Sequence, residues 1–373
     1  LQEVCTDSAP WTTGGSPDYR LTVDAAQRGQ RWSRFYETVV GADHANTVLE
    51  TAWGRNIQNA LRKGHDQAGF QYVRFHGILN GDIGVYQEVD GSPVYDWTRF
   101  DQVYDAIVAA GMRPFVEISF TPPRLASGSD TLHWYNGVAA NITPPRDWNR
   151  WMDLMAAIFE HLQARYGAEE VRNNWYFEVW NESSWMYAPG MAGYNELYGY
   201  TVQGLHRADP GLRVGGPAES AGGSPWGISG LIDYTRSRGL GLDFVAYHMY
   251  ANDGESSVAN ANTIADFHTE ILDTVNSSNF SGEVFVTEWG PSYSTEVTRD
   301  NEVAASFIAK AIHLLGTNPR YPPPSGLGYW VIWDLYEEID TGDVLAFREG
   351  NYGLLLKGDA RYPESCVVLN PPV

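Results

Sequence analysis

Eight short runs of β-branched and aromatic residues, separated by longer stretches with helical periodicity, constrain this chain more than any other feature. They fall at 36–40, 71–75, 113–120, 175–180, 212–215, 243–250, 283–287 and 328–333. Between them, Phe100, Val103, Tyr104, Ile107 and Val108 share one helical face, as do Trp148, Trp151, Met152, Met155, Ile158, Phe159 and Leu162. Further helices are expected at 194–208, 264–275 and 302–315, and Gly111 has the place of a helix C-terminal stop. Loops are expected at 252–262 and 321–325. Such alternation builds either an open doubly wound sheet or a closed barrel. An open sheet usually carries a glycine-rich phosphate loop after its first strand. The pairs Gly215-Gly216 and Gly222-Gly223 lack that context. Eight strands are what a (β/α)8 TIM barrel needs.

No repeat and no linker divides the chain. The expectation is a single barrel domain over 1–373, with its core at about 31–355 and the segments 1–30 and 356–373 packed on it. The irregular termini leave room for a small β element. Cys5 and Cys366 lie at opposite ends, and barrel termini are usually close. A disulfide between them would stabilise by about 4–5 kcal/mol in the chain-entropy model and would imply an oxidising compartment. The chain begins at Leu1 rather than Met, which suits either a removed leader or a trimmed sequence. With the disulfide, a secreted or periplasmic protein is expected.

With 46 acidic against 25 basic residues, the net charge of -21 makes nucleic acid a poor partner. No apolar run reaches the roughly 18 residues that a membrane-spanning helix requires. No Cys/His cluster has zinc spacing, so no metal is implied.

Chemistry is expected at strand ends. Two runs end in a glutamate: Glu182 in Phe177-Glu178-Val179-Trp180-Asn181-Glu182, and Glu288 in Val284-Phe285-Val286-Thr287-Glu288-Trp289-Gly290. A barrel places its reacting groups at the C-terminal ends of its strands. Two carboxylates on different strands are the requirement of glycoside hydrolysis. A separation of roughly 5–5.5 Å gives retention through a covalent intermediate, and roughly 6.5–9.5 Å gives inversion. Taken alone, Glu182 could equally be an exposed acidic loop residue, and Asn181-Glu182-Ser183 also matches a common glycosylation tripeptide. The 13% aromatic content, with 14 Trp, suits stacking against sugar rings, although a large core accounts for most of it.

The ordered set of strand-end motifs resembles glycoside hydrolase family 39, a group of retaining (β/α)8 enzymes, and within it the β-xylosidases. Tyr72-Val73-Arg74-Phe75-His76-Gly77, 111–122, Trp180-Asn181-Glu182, Val214-Gly215-Gly216-Pro217, Tyr247-His248-Met249-Tyr250, Thr287-Glu288-Trp289, Tyr329-Trp330, Asp334 and Glu337-Glu338 carry the resemblance. It implies that Glu182 is the acid/base and Glu288 the nucleophile. It also implies that His76, Asn181, His248, Tyr250, Trp330 and Glu337 or Glu338 line the sugar pocket. His248 and Tyr250 alternate on one strand and so point to the same side, as do Arg74 and His76. Arg74 reads as a structural ion pair inside the barrel rather than a sugar contact. Trp134 and Trp185 fall in loops where they would flank the pocket. Ser183-Ser184 stand where the family often has Pro-Asn, on the leaving-group side. After Gly353-Leu354-Leu355 the chain lacks the β-rich extension of the xylosidases, so a monomer or small homo-oligomer is expected.

The leading expectation is a cofactor-independent retaining hydrolase of β-xylosidic or related pentosyl bonds, acting on an oligosaccharide or polysaccharide. The same mechanism on an arabinofuranoside, a uronide or an internal polysaccharide bond is the alternative enzyme. A non-catalytic carbohydrate-binding protein is the alternative from another class.

Overall fold

A computed structural model describes residues 26, 32–49, 52–133, 139–251, 260–293, 302–332, 355–356 and 368–369. Cys5, Cys366, Trp134, Asp334, Glu337 and Glu338 lie outside the described residues.

The eight expected runs form one closed parallel barrel. Its strands are β1 Val39–His44, β2 Tyr72–His76, β3 Arg113–Ile118, β4 Tyr176–Val179, β5 Val214–Glu219, β6 Phe244–Tyr250, β7 Glu283–Gly290 and β8 Gly326–Tyr329. Each pairs with the next, and β8 returns to β1 through Val39 opposite Gly328. The connecting helices are α1 Ala52–Lys63, α2 Thr98–Ala109, α3 Trp148–Tyr166, α4 Gly190–Ala208, α5 Ser224–Arg238, α6 Ala261–Ser277 and α7 Glu302–Gly316. Asp147 starts α3 by accepting from the Asn149 and Arg150 amides, and Asn260 starts α6 by accepting from the Asn262 amide.

Several boundaries differ from the sequence reading. Phe35–Glu37 is a 3-10 turn, and β1 begins only at Val39. It then continues through Gly41-Ala42-Asp43-His44, residues of low strand propensity that pairing with β2 holds in place. Helix α2 buries Phe100, Val103, Tyr104 and Ile107, but Val108 is exposed. The expected loop at 252–262 ends two residues early, because α6 starts at Ala261. Neither α1 nor α5 was legible as a helix; α5 mixes Ser, Pro and Gly into a weak pattern. A hairpin, Tyr86–Val89 with Ser92–Tyr95, turns at Asp90-Gly91, both with positive φ. That Asp-Gly pair is a standard hairpin signal. The short strands Thr131–His133 and Ala139–Asn141 form a second antiparallel pair. Among the described residues, Leu355–Leu356 pairs antiparallel with Val368–Leu369, a small β element within the C-terminal segment.

The barrel lumen has two zones. Tyr72, Phe115, Tyr176, Phe244 and Phe285 fill its lower half, with ring centroids 4.8–6.5 Å apart in edge and stacked contacts. Two residues further along the same strands, the inward positions become Arg74, Glu117 and Glu178. The switch from rings to charges marks where packing ends and the site begins.

Candidate active site

Glu288 reaches the lumen because β7 slips its register. Tyr247 pairs with Val286, but the next residue, His248, pairs with Glu288, so Thr287 is skipped. Simple alternation after Phe285 would aim Thr287 inward and Glu288 outward. An extra residue of this kind re-aims a side chain, a device common beside active sites. Glu182 is turned inward by a different means. Trp180 has φ 67° and Glu182 φ 39°, left-handed conformations that non-glycine residues adopt at a cost. Trp180 is held in this bend by its indole, which donates to the Met186 carbonyl, and by rings of Phe120 and Tyr187. The Glu182 amide donates to the Ala218 carbonyl at 2.9 Å, which ties the end of β4 to β5.

The two carboxyl groups face each other. One oxygen of each lies within 4.8 Å of the other and of a His248 ring nitrogen. Glu288 accepts from Arg74 Nη1 at 2.7 Å and from the Tyr250 hydroxyl at 2.9 Å. Glu182 Oε1 lies 2.8 Å from His248 Nδ1, and Oε2 accepts from the Trp185 indole. Burial pushes the Glu182 carboxyl up to about 7, against the downward pull of the Trp185 bond and the Arg74 charge. The two glutamates thus sit in unlike surroundings: one is wrapped by donors and a guanidinium, the other is desolvated and tuned toward neutrality.

Arg74 organises the cage. It is fully buried and donates to Glu178 through Nε at 2.6 Å and to Asn181 Oδ1 through Nη2 at 2.7 Å. Its Nη2 also pairs with Glu117 at 2.8 Å. Carboxylates on three sides hold its pKa above the ordinary arginine value despite burial. Burial raises Glu117 and Glu178, and Arg74 opposes that rise in both. His76 contacts Glu117 at 2.6 Å through Nδ1 and stacks, tilted, on Trp330 at 4.6 Å. Burial depresses the imidazoles, His76 to about 3 and His248 to about 4, so both are neutral near pH 7. Trp330 occupies space that glycine leaves open on the neighbouring strand β1: a Cβ on Gly41 would lie 2.4 Å from its ring.

The structure therefore brings Glu182, Glu288, His76, Asn181, His248, Tyr250 and Trp330 to one end of the lumen. Both amide atoms of Asn181 are engaged within the protein, Oδ1 by Arg74 and Nδ2 by Met186 Sδ. Trp185 belongs to the site through its bond to Glu182 while remaining 57% exposed. Sequence reading overlooked Glu117 and Glu178. A charged residue in the middle of an apolar strand was the available signal, since such a group is buried only with a partner. Glu182, His248 and Glu288 could each offer one atom to a cation. Those side chains already engage Arg74, Tyr250, Trp185 and one another.

The family model described as glycosyl hydrolases family 39 matches residues 19–364. The chain is 34% identical over 351 residues to a β-xylosidase of Caldicellulosiruptor saccharolyticus, covering 90% of this chain and 68% of that protein. It is 33% identical over 347 residues to a β-xylosidase of Geobacillus stearothermophilus, covering 87% and 66%. Among solved structures, the GH39 enzyme of Xanthomonas axonopodis pv. citri superposes with a TM-score of 0.76 at 32% identity, over 87% of this chain and 63% of that one. The chain thus spans about two thirds of the length of these relatives. A closed barrel, inward glutamates on its fourth and seventh strand ends, and a family match over most of the sequence agree: the chain belongs to glycosyl hydrolase family 39.

Proposed function

We propose that this protein is a retaining glycoside hydrolase that cleaves β-xylosidic bonds of oligosaccharides, with Glu182 as acid/base and Glu288 as nucleophile. The observation that carries this reading is that one oxygen of each carboxyl lies within 4.8 Å of the other. So close an approach supports retention, with the carboxyl groups roughly 5–5.5 Å apart, over inversion at roughly 6.5–9.5 Å, which would leave room for a water.

In the first step Glu288 attacks the anomeric carbon as the glycosidic bond breaks, and Glu182 gives its proton to the departing oxygen. Glu182, now ionised, takes a proton from water. That water attacks the anomeric carbon, and the bond to Glu288 breaks. The Arg74 and Tyr250 donors orient Glu288 for attack. The raised pKa of Glu182 keeps a proton available near neutrality. Neutral His248, beside Glu182, adds no competing charge.

Xylose, which lacks a carboxylate, fits better than a uronic acid. Arg74, the cation of the matched motifs that lies beside the two glutamates, is engaged by Glu117, Glu178, Glu288 and Asn181, so it has no fork to offer a substrate carboxylate. The β-xylosidase relatives support the same choice.

The test is hydrolysis of nitrophenyl β-xyloside, α-arabinofuranoside, β-galactoside and α-iduronide, with the anomer of the released sugar followed by NMR. Fastest β-xyloside cleavage with β-xylose appearing first is the expected result. First appearance of the α-anomer would overturn retention, and preference for another sugar would overturn xylose. We further propose export with a Cys5–Cys366 disulfide; an intact mass unchanged by reductant would refute the pairing.

A further inference from the structure

We propose that Glu219 is a positioning residue for Glu182, acting through the short helical turn Ser183–Met186. The proposal rests on the acid/base role given to Glu182 above.

Glu219 ends β5 and its side chain is fully buried. Its carboxylate accepts from the Ser183 hydroxyl and, at 3.2 Å to both oxygens, from the Ser184 amide. These are the first residues of the turn Ser183–Met186, whose preceding residue is Glu182 itself. Glu182 does not cap this turn with its own side chain. A carboxylate from the neighbouring strand takes that place, where free amides and the local dipole favour negative charge. The acid/base is thereby released from capping, and its side chain can face Glu288.

The pocket for Glu219 is built into the fold. A Cβ on Gly223 would come within 3.1 Å of its carboxylate, and one on Gly227 within 3.1 Å of its Cγ. Ser224 donates to its carbonyl at 2.7 Å. The Glu182 amide bonds the carbonyl of Ala218, the residue before Glu219, so backbone and side chain clamp the same loop to β5. At the far side of the turn Trp185 donates its indole N–H to Glu182 Oε2. Glu219, the turn, Trp185 and Glu182 form a closed loop of contacts. The hydrogen bonds of the Glu219 carboxylate go to Ser183 and Ser184; its effect reaches the reaction by fixing where the proton donor stands. Among the described residues, the charged and titratable groups around Glu182 include Arg74, Glu117, His248, Glu288 and Glu219. The two serines are the residues at which this chain departs from the Pro-Asn expected after the acid/base.

A displaced proton donor harms substrates in proportion to their need for protonation. The experiment compares kcat/KM for phenyl β-xyloside, whose leaving oxygen needs a proton, with dinitrophenyl β-xyloside, whose leaving group departs without one. In Glu219→Ala the phenyl substrate is expected to fall by about tenfold to a hundredfold, the size of effect that a misplacement of about 1 Å produces. The dinitrophenyl substrate is expected to change by less than about threefold, since kcat/KM reports only the step up to glycosyl transfer. Glu219→Gln, which keeps one acceptor, should recover part of the loss, and Ser183→Ala should reproduce part of it. If Glu219→Ala does not fold, these two milder variants carry the same ratio. A proportional fall on both substrates would mean that Glu219 serves only stability, and an unchanged ratio would likewise overturn the proposal. Wild-type inactivity on both xylosides would instead indict the choice of sugar. The ratio is then read on phenyl and dinitrophenyl forms of whichever glycoside the wild type cleaves.

Discussion

The lower and upper halves of the barrel lumen are lined by the same strands at positions two residues apart, yet they obey different physics. Below, Tyr72, Phe115, Tyr176, Phe244 and Phe285 pack ring against ring. Their attraction is the sum of many small contacts, so losing one ring leaves the others in place. Above, Arg74 is shared among Glu117, Glu178 and Glu288. Each charge there is tolerated only because of its partners, so removing one exposes the rest. The lower half can absorb change as lost stability. The upper half converts change into lost chemistry as well.

The sharpest contrast comes from Glu288→Ala. Turnover is expected to fall by 10⁴-fold or more, on the order found when a nucleophile is removed. The melting temperature, read by circular dichroism, should change little by comparison. Next comes Arg74→Met, which leaves buried carboxylates without their cation. Chemical denaturation should show a loss of about 3–5 kcal/mol, with activity falling in the protein that still folds. Phe115→Ala should cost a similar 3–5 kcal/mol. Its folded fraction, however, should keep kcat/KM within a few-fold of wild type. Equal loss of activity in these two variants would erase the distinction between the halves. Tyr250→Phe removes one hydrogen bond to a charged group, worth about 1.5–3 kcal/mol, and should lower kcat/KM by roughly tenfold to a hundredfold.

The smallest effect is graded with pH. Glu182 must enter the first step protonated, so kcat/KM should decline as pH rises above about 7. The folded state also grips this proton more tightly than the unfolded chain. Its contribution to stability is full below the ordinary value of 4.5 and disappears as pH rises through about 7. A pH-rate profile of Glu182→Gln that kept the same alkaline limb would show that another group sets it.

The barrel was readable from the sequence because its strands keep an alternating or wholly apolar pattern that few other segments share. All eight expected runs overlap an observed strand. What escaped was set by contacts distant in sequence. The second half of β1 is extended because β2 holds it. Glu288 faces inward because β7 slips against β6, and no local preference announces that slip. His76, His248 and Tyr250 follow simple alternation and were readable. Glu117 and Glu178 follow it too, and a charge within an apolar strand was their local signal; what the sequence did not announce was their shared partner, Arg74 on another strand. Glu219 was equally silent, because its partners precede it by about one barrel strand and a helix.

The burial of Glu182 has a consequence in heat. A carboxyl tuned to about 7 is partly protonated in a solution at pH 7. A cationic sugar mimic entering between the glutamates would favour the ionised form and so expel a fraction of a proton into the buffer. The enthalpy of binding would therefore depend on the buffer chosen. Titrations in phosphate and in Tris should differ by that fraction of their ionisation heats, which weighs the proton without any turnover.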